Sequence, residues 1–183
     1  STRSLAGAPV RGGGGAPPAA LFHFSRDRAM ANPNRHLGGW QGILQTDAYG
    51  GYNDLYRADR DPGPVESALC WSHARRKFFE LADIEGNARK GKSVHDISPV
   101  ALEAVARIDA IFDIERGING LAAVERQEAR RQLSRPLVEA LHDWLLAERD
   151  RMSKHNPVAK AIGYMFKAEP VSYTHLRAHE TSL

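Results

Sequence analysis

Asp47 closes a short apolar run, GILQT at residues 42–46, and is followed almost at once by a turn containing Gly50 and Gly51. In a sheet packed with helices, side chains at the carboxyl ends of strands converge on a crevice, where a carboxylate can hold a divalent cation. An Asp in this place also has a simpler use, accepting hydrogen bonds from the amides of the turn, and the local pattern by itself favours that use. A second constellation is CWSHARRKF at residues 70–78. Its three consecutive cations, Arg75, Arg76 and Lys77, open a helix against the helix dipole, which favours anions there. That arrangement suits nearby phosphates or carboxylates, and otherwise makes a solvated basic face. Cys70 and His73 have a zinc-like spacing, but a tetrahedral structural site needs four ligands and no second pair follows.

Tyr49, Tyr52 and Tyr56 fall at i, i+3 and i+7, on one helix face, which suits packing better than stacking on bases. His23, His36, His95, His142 and His155 show no ligand spacing and receive no role; His175 and His179 lie four apart in the final segment.

The elements that must position these residues can be read from spacing. Residues 19–24 (AALFHF), 42–46 (GILQT) and 65–71 (VESALCW) suit three short strands. Asn32, Pro33 and Asn34 mark a turn, residues 36–40 suit one helical turn, and Asn53 is a candidate N-cap for a short helix holding Leu55 and Tyr56. From His73 the spacing becomes helical, with Phe78, Leu81 and Ala82 on one face. Ser98 and Pro99 start a longer helix, with Leu102, Val105, Ile108 and Phe112 as its apolar stripe and Gly117 as its stop. Residues 121–133 form a polar, charge-rich helix. After Pro136 comes another, with Leu137, Leu141, Trp144 and Met152 inward. Asn156 and Pro157 start a last one, holding Ile162, Met165 and Phe166.

Composition narrows the class. The chain has 183 residues, 25 Lys plus Arg against 22 Asp plus Glu, and 42% hydrophobic residues, enough for a packed core. No run of roughly 18 apolar residues is present, which argues against a membrane-spanning helix. Cys70 is the sole cysteine, so a reducing, cytoplasmic setting is expected. A net charge of +3 permits a nucleic-acid partner without requiring one.

GILQTDAYGGYNDLY at residues 42–56, ALCWSHARRKFFELA at 68–82 and SRPLVEALHDWL at 134–145 resemble the transposases of the IS66 family of bacterial insertion sequences. PPAALFHFSRDR and NRHLGGW precede them in the same order, and the resemblance covers about residues 17–167. It implies a DDE-type transposase with a ribonuclease H-like core, in which two Asp and one Glu hold two divalent cations, usually Mg2+, for phosphoryl transfer on DNA. Asp47 matches the second catalytic aspartate, and on that match it is assigned both the catalytic and the metal-binding role. The resemblance also implies a homo-oligomer acting on insertion-sequence ends and target DNA; in such an enzyme the basic run Arg75, Arg76 and Lys77 is expected to approach the DNA backbone.

Two members of the carboxylate triad find no match. Nothing in residues 1–21 fits the first aspartate, Asp27 lies where the family has no catalytic residue, and neither Glu169 nor Glu180 is equivalent to the final glutamate. The 183 residues are therefore expected to be catalytically inactive. The expected fold is α+β: a partial ribonuclease H-like core of about three strands plus helices at 19–85, with an all-helical insertion at 86–168. Residues 1–18 are low in complexity and 169–183 look foreign to the natural fold. Two other readings stay open, a DNA-binding module without chemistry and a helical interaction protein.

Overall fold

The computed structural model describes residues 20–27, 29, 31–47, 49–83, 86, 89–91 and 97–167. Its elements run α1 (Ala31–Leu37), β1 (Ile43–Thr46), a 3-10 helix (Gly50–Tyr56), β2 (Glu66–Leu69), α2 (Trp71–Ala82), α3 (Pro99–Gly117), α4 (Ala123–Ala129), a π-helical segment (Arg130–Ser134), α5 (Arg135–Asp150) and α6 (Pro157–Lys167). This is a mixture of helix and sheet, as expected.

Gly42 admits the chain to β1. Its φ is +140°, a conformation strained for any residue with a side chain, and a Cβ there would lie 2.7 Å from the Trp40 ring, which would have to move. β1 and β2 then pair in parallel, Ile43 opposite Glu66 through Thr46 opposite Leu69. The ladder is extended at both ends, by Glu66 N–H donating to Gly42 O and Cys70 N–H donating to Thr46 O. Val65, beside β2, and Ala68, within it, are buried.

Among the described residues the sheet has two strands, which corrects the expected three. Residues 20–24 form no strand, and Leu21, Phe22 and Phe24 are 73%, 73% and 89% exposed. An apolar run becomes a strand only where another edge takes up its backbone hydrogen bonds, and none does so here. Asn32, Pro33 and Asn34 lie inside α1 instead of in a turn. Pro33 is harmless there, because amides of the first helical turn have no intrahelical acceptor to lose. Asn53 sits within the 3-10 helix, whose N-cap is Tyr49. Arg60 joins these pieces: its Nη2 donates to the carbonyls of Leu37 (2.7 Å), Gly38 (2.6 Å) and Trp40 (2.9 Å) just past α1.

The helices pack through one apolar cluster. Ala74, Phe78 and Ala82 recur every four residues on α2 and face Ala101, Ala104, Ile108 and Ile111 of α3, then Val138, Leu141 and Leu145 of α5 and Val158, Ala161, Ile162 and Met165 of α6. Ala68 of β2 belongs to the same cluster, so strands and helices share a core. Local signals at the helix starts hold: Ser98 Oγ accepts from Ala101 N–H with Pro99 first in α3, and Asn156 Oδ1 accepts from Val158 N–H before α6. The stripe of α3 differs from expectation. Leu102 is exposed while Ala101 and Ala104 are buried, because small residues let α2 and α3 approach closely. On α5, likewise, Val138 and Leu145 are buried and Leu137 is exposed.

Pro136 does not separate two helices. The helical path runs on from α4 to α5 through the π segment at Arg130–Ser134. Proline lacks the amide that would bond four residues back, and its ring crowds that carbonyl; a wider π turn absorbs both effects without ending the helix.

Candidate functional site

In a parallel pair the strands end together. With Thr46 opposite Leu69, Asp47 and Cys70 leave the sheet at the same edge, and α2 with its basic run begins one residue later. Asp47 is exposed and lines a cleft of about 400 Å³, together with His23, Asp27, His36, Tyr49 and Tyr52. Local structure fixes the walls. A Cβ on Gly51 would lie 2.2 Å from the Tyr49 ring, so glycine is what lets the 3-10 turn fold under that ring. Tyr49 meets Tyr52 edge-on, with centroids 5.9 Å apart, and the Tyr56 hydroxyl lies 3.1 Å from Thr46 Oγ1, tying the turn to the end of β1.

Asp27 shares this cleft, which its position after an apolar run did not announce. Its carboxylate accepts from Ala29 N–H (3.0 Å) and Asn32 Nδ2 (2.9 Å), and these bonds, the backbone one foremost, hold it below the usual carboxylate range. His23 and His36 stack at 3.8 Å; partial desolvation, then the charge of His23, lowers the pKa of His36. The signal in the sequence was only SRDR following AALFHF, and no spacing rule links His23 to His36.

The donor set is too small for a multi-carboxylate metal cage. Among the described residues no three or more His, Cys, Asp or Glu side chains are grouped to hold a metal ion. Asp47 offers one carboxylate, and Asp27 is already engaged by Ala29 and Asn32. Cys70 and His73 form no site either; His73 Nδ1 is buried without a hydrogen-bond partner.

The basic run is divided by its surroundings. Arg75 makes a two-pronged pair with Asp109 of α3, at 2.6 and 2.7 Å, with its guanidinium 5.3 Å from the Phe79 ring. Arg76 is exposed. Lys77 Nζ lies 5.7 Å from the Tyr164 ring of α6. The hydrogen bonds from Arg75 are the main reason that the Asp109 carboxyl titrates below 3.8. A lowered carboxyl pKa contributes stability that is whole above 3.8 and fades as the pH falls through the lowered value. Arg75→Ala is therefore expected to cost about 1 kcal/mol at neutral pH, the pair being partly open to solvent. In thermal melts of wild type and variant, that difference should shrink once the pH is taken well below 3.8.

The family profile described as Transposase IS66 family matches residues 7–183. The chain belongs to the IS66 transposase family. Its match runs beyond residues 17–167 at both ends, into segments outside the described residues. Three relatives of this family member come from Sinorhizobium fredii (strain NBRC 101917 / NGR234). Uncharacterized protein y4hP is 49% identical over 85% of this chain, y4jD 36% over 82%, and y4qI 30% over 83%. The IS66 chain spans only 27–28% of the length of each of these relatives. No solved structure matches it. Among the described residues, no helix is long and apolar enough to cross a membrane.

Proposed function

We propose that this IS66 chain is the part of a DDE-type transposase that carries the second catalytic aspartate, Asp47, and presents it beside a DNA-facing helix. The observation that supports this is the common exit of β1 and β2, which puts Asp47 and the start of α2 at the carboxyl edge of a parallel pair, where α/β sheets bind ligands. On this reading the parallel pair is part of a ribonuclease H-like core and the helices from α3 onward are its insertion. The intact protein acts in the bacterial cytoplasm as a homo-oligomer, cleaving and joining DNA with Mg2+. Asp47 would hold one such ion together with carboxylates outside the described residues, and the ions would supply charge stabilisation for the reacting oxygens. The motifs of this sequence match neither the first aspartate nor the final glutamate of the triad, and on that reading the 183-residue chain is inactive by itself. Strand transfer by this chain with Mg2+, abolished by Asp47→Asn, would overturn that inactivity.

Arg76, with Lys77 and Arg75 beside it, faces the DNA backbone. Titration of the chain with duplex DNA over a range of salt tests this: Arg76→Ala should reduce the slope of log affinity against log salt by about 1. Lys77→Ala should act the same way, more weakly if its ammonium stays on Tyr164. An unchanged slope in both variants makes the run a solvated face. In a full-length family member with the whole triad, affinity that rises with Mg2+ in wild type but not in the variant equivalent to Asp47→Asn supports the metal-binding role of Asp47, and identical Mg2+ dependence rejects it.

A further inference from the structure

Behind the start of α2 lies a second, smaller cavity that the reading above does not use. It measures about 150 Å³ and opens between α2, α3 and the π segment. A volume near 150 Å³ has room for one six-membered ring. Its walls suit such a ring, with Trp71 and Phe112, both half-buried, and Val138.

Gln45, Cys70 and Ser72 also line the cavity, and its charged groups among the described residues are two. Arg130 and Glu115 form a two-pronged pair at 2.8 and 2.6 Å, through Nε and Nη2, with the Arg130 side chain only 18% exposed. That geometry leaves Arg130 Nη1 as a donor and the outer lone pairs of Glu115 as acceptors, side by side. Ser134, also in the lining, is 1% exposed and its hydroxyl has no hydrogen-bond partner. Arg130 and Ser134 begin and end the π segment, and π turns recur at functional sites.

We propose that this cavity receives a single unpaired nucleobase, a reading that rests on DNA being the partner of this chain. A base is flat and carries donors and acceptors together along one edge, which matches Arg130 beside Glu115, while its faces meet Trp71 and Phe112. A phosphate fits less well, because the Glu115 carboxylate faces it and the ion pair is neutral overall. The placement follows from the fold: the cavity is lined by Trp71, the first residue of α2, the helix that also carries Arg76.

The test uses the 183-residue chain and free nucleosides, observed by saturation-transfer NMR, with ribose 5-phosphate as the phosphate probe. Transfer is expected to nucleoside base protons and not to ribose 5-phosphate. Trp71→Leu, which keeps an apolar side chain but no ring, and Glu115→Gln, which keeps shape but replaces acceptors by a donor, should each weaken binding about tenfold. Far-ultraviolet circular dichroism checks folding; if Trp71→Leu unfolds, Glu115→Gln decides alone. No transfer to any nucleoside from folded wild type overturns the proposal. So does equal transfer to ribose 5-phosphate, or undiminished transfer in folded Glu115→Gln. Duplex titration reads the basic face of α2 separately, so a chain that binds nucleosides but no duplex rejects the role given to Arg76 and Lys77 and keeps the cavity's.

Discussion

Asp47→Asn, made in a full-length protein of this family at the equivalent of this position, is expected to lower DNA strand transfer by about three orders of magnitude while leaving the fold intact. Asparagine preserves the size of the side chain and one oxygen acceptor, so a residue that only satisfied the amides of the following turn would lose little on replacement. The negative charge is what a divalent cation needs, and losing several kcal/mol of transition-state stabilisation at about 1.36 kcal/mol per decade gives that magnitude. Asp47 is exposed at the end of a strand, where substitutions usually move stability by no more than about 0.5 kcal/mol. The measurement is a strand-transfer time course with a matched denaturation curve. Near-normal transfer by the variant assigns Asp47 to the turn and removes it from the chemistry.

Phe78→Ala is expected to cost about 3–5 kcal/mol of unfolding free energy in the 183-residue chain. Phe78 is fully buried on α2, which meets both α3 and α6, in a cluster that also holds Ala68 of β2. Truncating it removes apolar contacts and leaves a void that helices pinned at several points close only in part. Small domains have roughly 5–15 kcal/mol in total, so the variant should unfold at much lower denaturant concentration. Phe79, its neighbour, is 43% exposed and serves as the control, with an expected loss under about 1 kcal/mol. Equal losses at the two positions would show that α2 does not pack by the face described.

Both expectations depend on signals of different reach. Phe78 and Ala82 were legible because a helix repeats its inward face every three to four residues. Ser98 with Pro99, and Asn156 with Pro157, were legible because capping is decided within one turn of chain. The stripe of α3 was not. Leu102 is the more hydrophobic residue, yet Ala101 and Ala104 are inward, since the partner helix selects for close approach and a sequence does not name its partner. Pro136 reads as a break between helices for a related reason, because a π turn inside a helix carries no compositional mark.

The site divides the same way. Asp47 at a strand end followed by glycines, and the three consecutive cations, are local patterns, and the motifs containing them identified the IS66 family from the sequence alone; the structure starts α2 at Trp71 and so puts Arg75, Arg76 and Lys77 in its second turn instead of at its opening. The sequence by itself thus determined the family, the starts of α3 and α6 and the residues that could do chemistry. Tertiary structure alone decided their company. It brought Asp27 and the stacked His23 and His36 into the cleft of Asp47, and set Arg75 against Asp109, 34 residues away. It also folded Arg130 back onto Glu115 beside an unpartnered Ser134. The physical reason is range. Capping, periodicity and turn chemistry act over a few residues, whereas charge pairing and cavity shape depend on which surfaces the packed core leaves facing one another.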